Sequence, residues 1–261
     1  SPIYERQFSD NSFGFRPHRS CHQALKRAQE YITQGYKYCV SLDLERFFDT
    51  VNHSMLIRIL SRTLRDGRII SLIHKYLTAG VMVKRSYEES VKGVPQGGPL
   101  SPLLANIMLN ELDKELARRG HKFVRYADDC MILCRSKRAA ERVRENISTF
   151  IESRLHLKVN REKTEVSYVG KVKYLGYSFY VMSGKCRLRL HPKSVAKMKA
   201  KLKELTSRSN GWGYARLKGK LNLYIIGWMN YFKLADMRNV LETTDKWLRH
   251  RIRSYVWKSW K

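Results

Sequence analysis

Tyr126-Ala127-Asp128-Asp129 sits between two short apolar runs, residues 122–125 and 130–134, and no other stretch constrains the fold as tightly. An apolar run, a short polar break and a second apolar run read as strand, tight turn, strand. Such a hairpin holds two adjacent carboxylates at its tip. Crowded carboxylates repel, and a divalent cation is the usual physical remedy. A solvated turn is the simpler reading of Asp-Asp alone, because aspartate is a frequent turn residue. The rest of the chain decides between the two.

A further carboxylate comes from a distant part of the chain. Tyr38, Val40, Leu42 and Leu44 alternate with Cys39, Ser41 and Asp43. This predicts a strand over 38–44 with Asp43 on a face of small side chains, where a ligand has room. Around it the pattern predicts helices over 20–33, from a cap at Asn52 to about Leu64, and over 68–79 ended by Gly80. A hairpin over 81–85 and 90–92 leads into the loop Gly93-Val94-Pro95-Gln96-Gly97-Gly98-Pro99. Ser101-Pro102 supplies an N-cap and first-turn proline for a helix to Arg119, with 104, 108, 112 and 116 as one apolar stripe. Ser136 caps a helix to Leu155, and strands are expected over 165–169 and 173–181. From Lys193 onward only amphipathic helices are expected, over 193–206, 212–234 and 238–260. The expected class is α+β: a mixed domain over 1–190 and a basic helical unit over 191–261.

Charge narrows the partner. The formal net charge is +28, and residues 191–261 hold 17 of the 51 Lys and Arg but only 4 of the 23 Asp and Glu. A surplus of that size calls for a polyanion, with binding that weakens steeply in salt. The basic residues alternate with Trp, Tyr and Phe that read as helix core, not as a lipid-seeking face, so nucleic acid is favoured over membrane. No apolar run is long enough to span a bilayer, and no signal peptide is visible, which predicts a cytoplasmic protein. Five cysteines without a C-x-x-C pair argue against a zinc or disulfide framework, and Cys39, Cys130 and Cys134 are expected in the core.

A metal pair that transfers phosphoryl or nucleotidyl groups needs bridging carboxylates on a rigid frame, its ions about 3.5–4 Å apart. Asp43 and Asp128–Asp129 meet that need if their strands are antiparallel neighbours. The ordered strings that contain them resemble the reverse transcriptases. They are Ser41-Leu42-Asp43-Leu44-Glu45-Arg46-Phe47-Phe48-Asp49, then Gly93 through Pro99 continuing to Asn106, then Tyr126-Ala127-Asp128-Asp129. With Asn11-Ser12-Phe13-Gly14-Phe15-Arg16-Pro17 upstream and Tyr174-Leu175-Gly176-Tyr177 downstream, the chain is similar to the bacterial group II intron-encoded reverse transcriptase/maturases over essentially its whole length.

That resemblance implies a right-hand polymerase palm with partial fingers over 1–190, and a thumb, or maturase domain, over 191–261. It implies Asp43 and Asp128 as ligands of two Mg2+ ions (Mn2+ as a substitute), with Asp129 in support and the Leu44 carbonyl facing a metal. Phe48 matches the aromatic gate that leaves no room for a 2′-hydroxyl, against a plain core role for a Phe. Gln96 and Gly97 match the loop beside the incoming nucleotide, and Lys163 the lysine that protonates departing pyrophosphate, against a solvated surface lysine. Tyr174, Leu175 and Gly176 match the segment gripping the primer terminus. Arg16, Arg19, Lys197 and Lys201 are candidates for nucleic-acid phosphates. The Trp residues are expected to be helix core.

The implied function is RNA-directed DNA polymerisation on an RNA template and a DNA or RNA primer, using dNTPs, with group II intron RNA as a second partner in a nucleoid- or RNA-associated setting. The first family blocks ahead of Phe13 and the C-terminal DNA-binding and endonuclease modules are not in this sequence. This predicts a fragment with weak or no polymerisation on its own. The alternative is a non-enzymatic, intron RNA-binding maturase with an idle polymerase site. RNA-templated RNA synthesis is a third reading, which Phe48 opposes. Nothing in the sequence sets an oligomeric state.

Overall fold

Helices α1 (Pro2–Glu5) and α2 (Cys21–Thr33) precede strand β1 (Tyr38–Leu42) in the computed structural model, which describes residues 2–83, 86–88 and 91–259. Then come α3 (Phe47–Thr50), α4 (His53–Ser61), α5 (Gly67–Thr78), β2 (Val81–Val83), β3 (Ser86–Glu88), α6 (Ser101–Arg118), β4 (Lys122–Tyr126), β5 (Asp129–Cys134), α7 (Lys137–Phe150) and β6 (Glu165–Tyr168). The chain divides into two compact units, Ser1–Val172 and Lys173–Lys261. The sequence pattern drew its division at 190; the structural division falls ahead of a hairpin that the pattern had left with the first domain.

The first unit is built on one antiparallel sheet in the order β4-β5-β1-β6. Its apolar side packs on α4, α6 and α7. Leu104, Met108, Leu112 and Leu116, the expected stripe of α6, are all buried with Val40, Leu42 and Ile132 of the sheet. Side-chain caps set three helix starts, at Asn52 and Ser136 as expected and at Ser20 in addition. The Ser20 side chain accepts from the Gln23 amide, that of Asn52 from Met55 and that of Ser136 from Ala139. Beyond Phe150 the helix widens into a π turn, Ile151–Leu155.

Ser101 departs from its expected role. Leu100 occupies the cap position and makes no side-chain bond, while the Ser101 hydroxyl donates to the Pro95 carbonyl. A serine one position inside the helix can reach back to the preceding loop, and here that loop, not the helix end, uses it. The hairpin expected at 81–85 and 90–92 has its second arm earlier, with Val81 paired to Glu88 and Val83 to Ser86. Arg85 and Ser90 lie outside the described residues.

The second unit opens with the hairpin β7 (Tyr177–Met182) and β8 (Lys185–Leu190), followed by α8 (Pro192–Leu205), α9 (Tyr214–Phe232) and α10 (Arg238–Ser259). Strand β8 was not foreseen, although Cys186, Leu188 and Leu190 are buried in strict alternation with exposed Lys185, Arg187 and Arg189. The expected strand over 173–181 starts later, because Tyr174 to Tyr177 form a tight turn. The three helices close on Met198, Leu202, Leu217, Leu221, Leu248 and Tyr255, with Trp212, Trp228 and Trp247 packed against that cluster. Trp257 is 75% exposed and Tyr214 59% exposed, so neither joins the core expected of it. No helix among the described residues is long and apolar enough to cross a membrane.

Candidate functional site

Strand pairing gathers the acidic residues at one end of the first sheet. Strands β1 and β5 are antiparallel with Leu42 opposite Cys130. One further step along that register sets Asp43 opposite Asp129. Strands β4 and β5 close with Tyr126 opposite Asp129, so Ala127 and Asp128 form a two-residue turn. Asp43 is half-buried and Asp128 and Asp129 are exposed.

Each acidic residue is set by specific backbone contacts. The Asp43 amide lies 3.2 Å from the Thr164 hydroxyl, and the Asp43 carbonyl accepts from the Asn160 amide at 2.9 Å. Leu44 bridges Val159 at a position whose flanking residues, Glu45 with Lys158 and Asn160 with Asp43, carry the hydrogen bonds. The Leu44 carbonyl therefore stays out of the ladder. Lys163 is exposed in the 160–164 loop, its amide held by the Asn160 side chain at 3.2 Å. This loop brings Lys163 to the strand end that carries Asp43.

The hairpin tip is held from below by a buried network. Arg125 is fully buried and donates to both oxygens of Asp113 on α6, at 2.8 and 2.6 Å. It also donates to the Asn106 side chain at 2.9 Å and to the Ala127 carbonyl at 2.8 Å. Asn106 in turn donates to the Gly14 carbonyl at 2.8 Å. Gly14 packs so closely that a Cβ there would overlap the Ala127 amide nitrogen, and Ala127 itself has φ +57°, a turn conformation that a closing strand pair imposes. Sequence reasoning missed Arg125 and Asp113 as parts of this site. Their signal was present: a charge inside the apolar run of a central hairpin, and another beside the buried stripe of a helix.

Phe48 and Gln96 are brought together by a loop contact. Phe48 is half-buried on α3, edge-on to Phe47 with centroids 5.3 Å apart. Its carbonyl accepts from the Val94 amide at 2.6 Å, and Gly93 sits so near that a Cβ would meet that carbonyl oxygen at 2.8 Å. The exposed Gln96 side chain donates to Asp49 at 3.0 Å. Asp49, not singled out from sequence, thus positions Gln96 next to Phe48. Gly97 is exposed on the same loop.

Arg16 and Arg19 are already engaged. The Arg16 side chain is 3% exposed and binds Glu5 at 2.6 Å together with the carbonyls of Ser9 and Ser12 at 2.6 and 2.8 Å. That arrangement holds the 5–16 loop and takes its donors away from a phosphate. Arg19 pairs with exposed Asp10 at 2.8 Å and lies over the Phe13 ring.

In the second unit, Leu175 and Gly176 both have positive φ, 50° and 83°, and close a turn between the paired Tyr174 and Tyr177. Tyr174 is 1% exposed and is a core residue, not a surface for a strand end. Leu175, Gly176, Lys197 and Lys201 line one groove of about 720 Å³ with Trp228 and Tyr231. Lys197 is exposed, while Lys201 pairs with Glu204 at 2.6 Å.

Hard oxygen donors of this kind suit magnesium. Asp43 and Asp128 commit no side-chain oxygen to an ion pair or hydrogen bond among the described residues, so both carboxylates are open to a cation. Among the described residues no three His, Cys, Asp or Glu side chains already stand together as a metal cage.

Residues 1–179 match the family described as reverse transcriptase (RNA-dependent DNA polymerase), and residues 195–261 match the group II intron, maturase-specific domain. The group II intron-encoded protein LtrA of Lactococcus lactis subsp. cremoris is 31% identical over 244 residues, covering 69% of this chain and 41% of that protein. Protein YkfC of Escherichia coli (strain K12) is 32% identical over 206 residues, covering 64% of this chain and 54% of that protein. The chain thus spans about half the length of the curated relatives it matches. Among solved structures, a telomerase from Candida tropicalis in complex with a fragment of telomeric RNA superposes with a TM-score of 0.58 at 13% identity, over 93% of this chain and 46% of that one. At that identity the likeness is one of fold.

Proposed function

We propose, from the premise that this chain belongs to the family of group II intron-encoded reverse transcriptases and maturases, that its first unit extends a primer with deoxynucleotides on an RNA template. The observation that supports this reading is the β1–β5 register, in which Leu42 and Cys130, the neighbours of Asp43 and Asp129, lie opposite each other beside the Asp128 turn. Asp43 and Asp128 would hold two magnesium ions, with Asp129 and the Leu44 carbonyl as further oxygen donors. Magnesium, when bound, supplies the positive charge that activates the primer hydroxyl and stabilises the leaving oxygen.

The chain's own residues do the rest. Gln96, steadied by Asp49, lies along the incoming nucleotide. Phe48 fills the space that a 2′-hydroxyl would need, which selects deoxyribose. The primer 3′-hydroxyl gives up its proton to water and its oxygen bonds to the α-phosphorus, the bond to the pyrophosphate oxygen breaks, and Lys163 delivers a proton to the departing pyrophosphate. The basic second unit binds the template–primer duplex and intron RNA through the groove of Leu175, Gly176, Lys197 and Lys201, and the protein works in the bacterial cytoplasm with its RNA.

Primer extension on an RNA template and manganese binding followed by electron paramagnetic resonance test the site together. Asp128→Ala and Asp43→Ala are expected to abolish extension and to weaken manganese binding, with RNA affinity retained. Extension and manganese affinity that match the parent chain in both variants would overturn the assignment.

A further inference from the structure

At the far end of the β4–β5 hairpin from the acidic tip lies a cleft of about 520 Å³. Lys122, which lines it, begins β4 and pairs with Leu133; Tyr126 at the tip is about 13 Å further along the strand. Arg119, His121, Arg135 and Arg142 line the same cleft, and no carboxylate does. Leu133 and Val143 are buried in its floor.

The charges around it are unevenly settled. Arg119 is paired with Glu115 at 2.7 Å. The acids of α7 are taken by other bases, Glu141 by Lys137 and Glu145 by Arg144. Arg135 and Arg142 are exposed and enter no ion pair among the described residues. Arg135 lies over the Tyr36 ring at 5.1 Å, a stack that steadies the guanidinium plane and leaves its edge donors for an acceptor. Along α7, Ala139, Arg142 and Asn146 recur at helical spacing on the flank that faces the cleft. Like charges held together without counterions raise the local positive potential, and an extended polyanion relieves it better than any single small ion.

We propose that this cleft is a second nucleic-acid site, in which Arg135, Arg142 and Lys122 bind the phosphodiester backbone of a strand remote from the acidic end of the sheet. The proposal rests on the nucleic-acid reading of the chain but not on its polymerase chemistry. It gives the first unit an anchor of its own, independent of the basic helical unit, so that folded RNA is held at the back of the palm while the other end of the sheet is occupied.

Fluorescence anisotropy with a fluorescein-labelled RNA hairpin, and with the DNA hairpin of the same sequence, tests it. Arg135→Gln with Arg142→Gln is expected to weaken binding about tenfold and to lower the slope of log affinity against log salt by about 2, the loss of two phosphate contacts. Arg65→Gln with Arg68→Gln removes the same charge from exposed positions elsewhere in the unit and is expected to leave affinity within about twofold. The RNA and DNA arms report which sugar the strand carries; loss in either upholds the site. An equal loss from both double variants, or no loss from the cleft pair, overturns it. Thermal melting of each variant separates binding from folding. Because Asp128→Ala leaves these contacts untouched, a failed catalytic assignment and a failed cleft give different results.

Discussion

Arg125 and Asp113 place a full charge pair where neither side chain touches solvent. Removing one partner of a buried pair strands the other, which costs about 3–5 kcal/mol, whereas replacing both by apolar groups of similar volume is often nearly neutral. Arg125→Met is therefore expected to lower the urea midpoint sharply, and Arg125→Met with Asp113→Leu to recover most of it. The double variant still loses the bond from Arg125 to the Ala127 carbonyl, so its catalytic output is expected to stay low. Recovered stability together with full activity would show that the network does not position the tip. Thiols report on the same core. Burial pushes the Cys39 thiol up to about 12 and that of Cys134 to about 11, and raises Cys130 further. At neutral pH all three are protonated and inaccessible, so iodoacetamide is expected to label half-buried Cys21 first, a sequence readable by mass spectrometry.

At the scale of elements, loops matter more than strands. The loop from Gly93 to Leu100 is fastened at its start by Gly93 against α3, in its middle by Gln96 on Asp49, and at its end by Ser101 on the Pro95 carbonyl. Ser101→Ala removes the last fastening and is expected to cost about 1 kcal/mol. Its kinetic effect should fall on the KM for deoxynucleotide more than on kcat, because the proposed function sets this loop beside the nucleotide and away from the reacting atoms. A kcat loss with unchanged KM would reassign the loop. Here the sequence was legible only in part. Helix spans followed from periodicity and caps to within a few residues, since apolar spacing states directly which face is buried. Strand β8 was missed because its outward positions are Lys and Arg, and its short inward row of Cys186, Leu188 and Leu190 gains meaning only once it pairs with β7.

For the molecule as a whole, charge governs association. If the chain meets six or more phosphates, raising salt from about 50 to 200 mM should cost about a thousandfold in RNA affinity, and a flat salt response would be inconsistent with a phosphate-dominated partner. The two units carry different features, an acidic sheet end in the first and an aromatic, lysine-lined groove in the second.

The α+β class, the three C-terminal helices and the membership of the family were all written in the order and composition of residues, because periodicity and ordered motifs are properties of a line. What a line could not state was which polar groups would be consumed inside. Arg16 and Tyr174 matched motifs that contact nucleic acid, yet packing spends the first on Glu5 and buries the second. Arg125 drew no notice, yet it holds the acidic turn. Burial is decided by partners far apart in the chain, and only the closed sheet brings those partners together.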